Sequence, residues 1–219
     1  MIAGALYIYF SATFERELPK ITLENNGFWN LKEPLNLSIS DDSGLKEYKV
    51  ILKTKEGETD LEYEKPITVE KLLNITIKPP RSTYITKDKE IELIVTAIDR
   101  SKWNFLKGNS AIEIVKLKID NKKPQLNIIG NSYKISRGGS ALVIFKVTDE
   151  NLESVFIESE SEKIFKAVPF YKENYYISLI AWSILEKNFK ATIVTKDKAG
   201  NIAKSYIPYY LQNKDYRLS

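Results

Sequence analysis

The residues best placed to do chemistry are acidic and sit in turns. Asp197-Lys198-Ala199-Gly200-Asn201 is the most distinctive local motif, with oxygen donors at both ends. Such oxygens suit a hard cation, and Asp149, Glu150 and Asp120 are the carboxylates that would complete a calcium site with it. Against that stand Lys198, Lys122 and Lys123 beside the proposed ligands, and the lack of an EF-hand loop. The plainer expectation is a tight hairpin. There Asp197 accepts backbone N–H bonds, while Gly200 and Asn201 supply left-handed conformations. No catalytic, cofactor-binding or metal-binding residue is assigned.

Other chemistries lack their parts. The chain has no His and no Cys, which removes the usual general base, the usual zinc ligands, thiolate sites and disulfides. Paired carboxylates for glycoside hydrolysis need a cleft that drives their pKa values apart, whereas Asp41-Asp42 and Glu150 sit in turns. Arg137-Gly138-Gly139-Ser140 lacks the Lys and following helix of a phosphate loop, and reads as a bend before a strand. Trp103-Asn104-Phe105 and Tyr209-Tyr210 could stack on sugar rings, but aromatics of a β-sandwich more often fill its core. A net charge of +4, with basic and acidic residues interleaved, is no nucleic-acid footprint. The composition thus points to a chain that is not itself an enzyme.

The elements that position these residues are strands. At 219 residues the chain fits two domains of about 100 residues each, and its Tyr, Phe, Ile, Val and Thr favour β-structure. Leu35, Leu37 and Ile39 alternate with polar residues, as do Ile91, Leu93, Val95 and Ala97. The order replays after Ile119-Asp120-Asn121-Lys122-Lys123-Pro124, a hinge whose Pro cannot join a central strand. Asp149-Glu150-Asn151-Leu152 answers Asp42-Ser43-Gly44-Leu45, Gly130-Asn131 answers the Asn26-Gly27 turn, and Asp197-Asn201 takes the place of Asp99-Arg100-Ser101. Leu142 and Ile144 alternate with Val143, Phe145 and Val147, so both faces of a central strand look apolar. Tyr175, Ile177, Leu179 and Ala181 alternate along another strand ending near Trp182, and 69–74 is short enough for one helical turn. The expected fold is all-β: two tandem immunoglobulin-like sandwiches, 18–119 and 120–211, followed by a linker-like tail, 212–219. Residues 2–14 carry no charge. They are too few for a full membrane helix and read as the back half of a signal or anchor segment, 1–17. That makes the chain extracytoplasmic.

One resemblance adds to this reading. Arg137-Gly138-Gly139-Ser140-Ala141 to Phe145, Ile180-Ala181-Trp182, Asp197 to Asn201, Ile207-Pro208 and Tyr216-Arg217 resemble the non-catalytic front of membrane-anchored, lysostaphin-type murein endopeptidases of spiral and curved Gram-negative bacteria. The likeness runs over nearly the whole chain and is strongest from Asp120 onward. It implies a periplasmic region tethered to the inner membrane. Such a region would position or restrain a zinc peptidase domain and contact peptidoglycan or cell-wall machinery. That family's catalytic domain binds zinc through H-x-x-x-D and H-x-H, and without His none of those ligands carries over. A free-standing extracytoplasmic module, adhesin-like or carbohydrate-binding, is the competing expectation.

Overall fold

The computed structural model describes residues 12–24, 27–67, 69–80 and 88–214. The chain divides into two compact units between Asn121 and Lys122. In the first, β1 (Lys20–Glu24), β3 (Leu35–Ser40) and β6 (Leu72–Ile77) form one sheet, ordered β1-β3-β6. The second sheet combines β2 (Phe28–Trp29), β4 (Leu45–Thr54), β5 (Gly57–Glu64), β7 (Glu90–Asp99) and β8 (Ser110–Ile119), ordered β2-β8-β7-β4-β5. Period-two patterning decides which side chains meet. Leu35, Leu37 and Ile39 of β3 and Ile91, Leu93, Val95 and Ala97 of β7 all point into one buried cluster with Trp29, Val50 and Leu117.

The second unit repeats the plan. One sheet orders β14 (Val168–Pro169), β15 (Tyr175–Ala181), β11 (Ser140–Thr148) and β9 (Gln125–Asn131). The other orders β13 (Ile164–Lys166), β12 (Leu152–Ser159), β16 (Ala191–Asp197) and β17 (Ile202–Tyr206). Val143, Phe145, Ile157, Ile180 and Ile193 lie at its centre. In both units the first strand joins one sheet and the chain then crosses over. A short second strand pairs parallel with the last: β2 with β8, and β10 (Lys134–Ser136) with β18 (Tyr210–Gln212). Every other pairing among the described residues is antiparallel. Two tandem immunoglobulin-like sandwiches result. Even a bulge recurs, between Leu45 and Glu47 in β4 and between Leu152 and Ser154 in β12.

Several local expectations give way. Residues 69–74 contain no helical turn; Leu72 to Asn74 begin β6, because Ile75 and Ile77 are buried opposite Leu37 and Leu35. Gly130-Asn131 is no turn either, since both residues extend β9 past a register shift opposite Ile144 and Phe145. On β15 the row Leu179-Ala181 faces outward, while Ser178, Ile180 and the following Trp182 are buried. Pairing with β11 sets that phase, by placing Ile180 opposite Ala141 and Ser178 opposite Val143. β11 is central in its sheet, but only its Ala141, Val143, Phe145 and Val147 row enters the core; Leu142 is exposed. Gln212, expected in the tail, is the last residue of β18. Of the expected anchor segment, 1–11 lie outside the described residues, and Ala12–Phe14 form a single 3-10 turn. No described helix is long and apolar enough to cross a membrane.

Candidate functional site

The turn motif after β16 is a closed clasp. Asp197 donates its backbone N–H to the Asn201 carbonyl at 3.1 Å. In return Asp197 Oδ1 accepts the Asn201 backbone N–H at 2.8 Å, and Oδ2 accepts Asn201 Nδ2–H at 2.8 Å. Gly200 takes φ +90°, so it alone provides the left-handed conformation expected of the Gly-Asn pair. Both carboxylate oxygens of this wholly buried Asp are engaged. Asp149 Oδ1 accepts the Asn151 N–H at 2.7 Å, an Asx turn leading into β12. Asp120 belongs to the first unit. Among the described residues no group of three or more His, Cys, Asp or Glu could hold a metal ion. Within the second unit, Asp149 and Asp197 thus spend these oxygens on their own turns.

The first unit carries the same clasp with a longer insert. Asp99 N–H donates to the Asn109 carbonyl at 3.1 Å, Asn109 N–H to Asp99 Oδ1 at 2.7 Å, and Asn109 Nδ2–H to Asp99 Oδ2 at 2.7 Å. Asp99 and Asn109 stand ten positions apart where Asp197 and Asn201 stand four apart, so six more residues loop out. The Gly before the Asn recurs too: Gly108 takes φ +86°, and a Cβ there would lie 2.5 Å from the Asp99 carbonyl oxygen. Asp41 Oδ1 accepts the N–H of Ser43 at 2.9 Å and its hydroxyl at 2.7 Å. The Asx turn before β4 is therefore made by Asp41, one position earlier than the Asp42 that aligned with Asp149.

These loops share one pole of the first sandwich with the incoming chain. The Glu15 carbonyl accepts the Ser101 hydroxyl at 2.6 Å and Asn109 Nδ2–H at 3.0 Å, and the Thr13 carbonyl accepts the Lys102 N–H at 2.7 Å. The Arg16 guanidinium lies 4.1 Å from the centre of the Trp103 ring. Glu15 Oε2 is buried without a hydrogen-bond partner. Desolvation, followed by the negative charges of Asp41, Asp42, Asp99 and Glu17, pushes the Glu15 carboxyl up to about 7. Sequence reasoning takes Glu15 only as part of a polar run, Glu15-Arg16-Glu17, entering water. It missed Asn109, although the Gly-Asn pair at 108–109, repeated at 200–201, is a legible signal.

The aromatic candidates divide. Tyr209 is buried, and burial raises its phenol pKa. Tyr210 is exposed and stacks on exposed Tyr133, with centroids 6.0 Å apart and an interplanar angle of 9°. Trp103 and Phe105 belong to the inserted loop and are not core. Arg137-Gly138-Gly139 forms the expected bend, closed by Gly139 N–H on the Ser136 carbonyl at 2.8 Å, while Arg137 Nε–H donates to the Ile184 carbonyl at 2.8 Å.

No family model matches this chain, and no curated protein does. Among solved structures it is similar to "Crystal structure of the titin domains z1z2 in complex with telethonin", at 12% identity and a TM-score of 0.31. That match covers 92% of this chain and 100% of the other.

Proposed function

We propose that this chain is a non-catalytic accessory region of a periplasmic peptidoglycan endopeptidase, tethered to the inner membrane through its apolar N-terminal residues. It positions or restrains a zinc peptidase domain that the chain does not contain. One observation carries the reading: Asp197 to Asn201, the most distinctive motif in the resemblance to the front of lysostaphin-type murein peptidases, spends both Asp197 carboxylate oxygens on Asn201 and ties Lys198 N–H to the Asn151 carbonyl. A motif so used supports a rigid spacer rather than a reaction. The missing His and Cys support the same conclusion. The test has two parts. The reading frame of the native transcript should continue into H-x-x-x-D and H-x-H, and the chain alone should release no muropeptides from isolated peptidoglycan with zinc present. Cleavage by this chain would sink the reading.

A free-standing binding module is the second reading, and the exposed Tyr133–Tyr210 stack favours it. Under that reading the double variant Y133A/Y210A loses retention on isolated peptidoglycan. Under the first reading retention, where present, is unchanged by it.

A further inference from the structure

One outward sheet face of the second sandwich is apolar. Leu142 and Ile144 of β11 stand opposite Leu179 and Ile177 of β15, all four turned away from the core. Val168 of β14 extends the Ile177 row. Leu179 is 63% exposed, and Val168 and Leu142 are exposed beside it. At one end of the face Lys146 stands opposite Tyr175; at the other, Ser140 stands opposite Ala181. Lys146 is the one charged side chain among the outward positions of this sheet, and its Nζ lies 5.9 Å from the centre of the Tyr175 ring. The other sheets present a different outside. The larger sheet of the first sandwich carries the Lys49–Asp60 and Lys53–Glu92 ion pairs, and its smaller sheet turns Asn36, Ser38 and Thr76 outward. On the opposite sheet of the second sandwich, Glu158, Lys166, Lys196 and Lys204 face out.

We propose that two copies of the chain pair through this face, sheet on sheet, about a two-fold axis that runs across the strands. Such an axis reverses the strands of the second copy, so opposite ends of the face meet. With the axis level with Val143, Leu142 of each copy meets Ile144 of the other, and Leu179 meets Ile177. Tyr175 and Lys146 then lie over the small Ala181 and Ser140. Bulk meets a hollow, and the two Lys146 side chains stay apart. A two-fold along the strands would instead set the Lys146 ends together. The rims carry both signs, Lys172 and Glu173 beyond Tyr175, Arg137 and Glu186 beyond Ser140 and Ala181. Charge there selects neither an acidic nor a basic partner, but the two rims complement each other once the strands are reversed. The size also fits. Ser140 to Lys146 across four strands makes a face of about 23 Å by 19 Å. Pairing removes on the order of 1,000 Å² from water, the lower edge of a specific interface, which suits a reversible dimer. Stacked sheets are also how each sandwich is built internally, and a lone chain would leave an unusually large apolar patch wet. This pairing goes beyond the proposed function and does not depend on it.

Sedimentation equilibrium of the full chain, from low-micromolar to submillimolar concentration, should show one chain mass giving way to two. L142K/L179K brings like charges into the contact and should weaken pairing about a hundredfold. Both positions are exposed, so the variant should keep the urea midpoint of the second sandwich. I112K/I114K, at exposed positions of β8 in the first sandwich, is the control and should pair like the wild type. S140E sets a carboxylate under Lys146 of the second copy and should tighten the dimer severalfold. A chain that stays single at every concentration overturns the proposal, and so does a dimer that L142K/L179K leaves intact. If L142K/L179K breaks the dimer but S140E fails to tighten it, the copies meet in another orientation and the proposed axis is refuted.

Discussion

Asn109 closes on Asp99 through three hydrogen bonds, backbone to backbone, backbone to Oδ1 and amide to Oδ2, with the last two at 2.7 Å. The same three bonds join Asn201 to Asp197. Both Asp residues are wholly buried, so their side-chain oxygens need partners; Asn201 serves both oxygens of Asp197, while Asp99 Oδ1 also accepts the Ser101 N–H at 3.0 Å. Replacing Asn109 or Asn201 by Ala should destabilise the host sandwich by about 2–3 kcal/mol, the usual loss for a hydrogen bond to a buried charge. Urea unfolding checks this. N109A should move only the transition of the first sandwich, and N201A only that of the second.

Gly108 and Gly27 separate two effects of a left-handed backbone. Gly27 has φ +78° with nothing within 4 Å of a Cβ, so G27A should lose only the conformational term, about 1–2 kcal/mol. At Gly108 a Cβ would also stand 2.8 Å from Asp99 Oδ1. G108A should therefore be the more damaging of the two by at least about 1 kcal/mol. Equal losses would show that the clasp relaxes freely.

Glu15 sets a pH dependence near neutrality. Its folded pKa of about 7 lies above its ordinary value of 4.5, so the folded state holds the proton more tightly. Stability from this group is complete below pH 4.5, declines as pH rises toward 7, and levels off above it. E15Q should remove the decline, leaving a variant that melts higher than the wild type at pH 8 and about equally at pH 4. Thermal melts of both proteins across that range give the answer.

Trp29 and Trp182 make the same bond at different places in their sandwiches. Trp29 Nε1–H donates to the Glu33 carbonyl at 2.7 Å and Trp182 Nε1–H to the Glu186 carbonyl at 3.0 Å, each four residues on. Both rings are buried. W29F and W182F should each lose about 1–3 kcal/mol through the unpaired carbonyl and the smaller ring, read as lowered urea midpoints.

Strands with one apolar row, such as β3 and β7, were legible because burial and period agree. The phase of β15 is not legible in sequence, because its outward Ile177 and Leu179 are as apolar as its inward Ile180. Its buried row includes Ser178, whose hydroxyl finds the Lys166 carbonyl at 2.9 Å. Nothing near Ser178 in sequence announces that partner. β2 and β10 span two and three residues, too short for any periodicity, so their parallel pairing stayed hidden. The Asp197 clasp was visible as a compact motif, whereas six intervening residues disguised its twin at Asp99. Glu15 could not be found because its pKa is raised first by burial, which the sequence does not announce, and then by Asp41, Asp42 and Asp99 from turns distant in sequence.

The Asp–Asn clasp also makes this fold an adaptable scaffold. With the chain pinned on both sides of the gap, the peptide between the pins is isolated from the strand ladder. Lengthening such a closed loop costs only about 0.6 kcal/mol per doubling. The first sandwich already uses that freedom between Asp99 and Asn109. In the second, Ala199 is buried and Lys198 N–H holds the Asn151 carbonyl at 2.8 Å, so the place to display a recognition peptide or reporter epitope is the longer loop of the first.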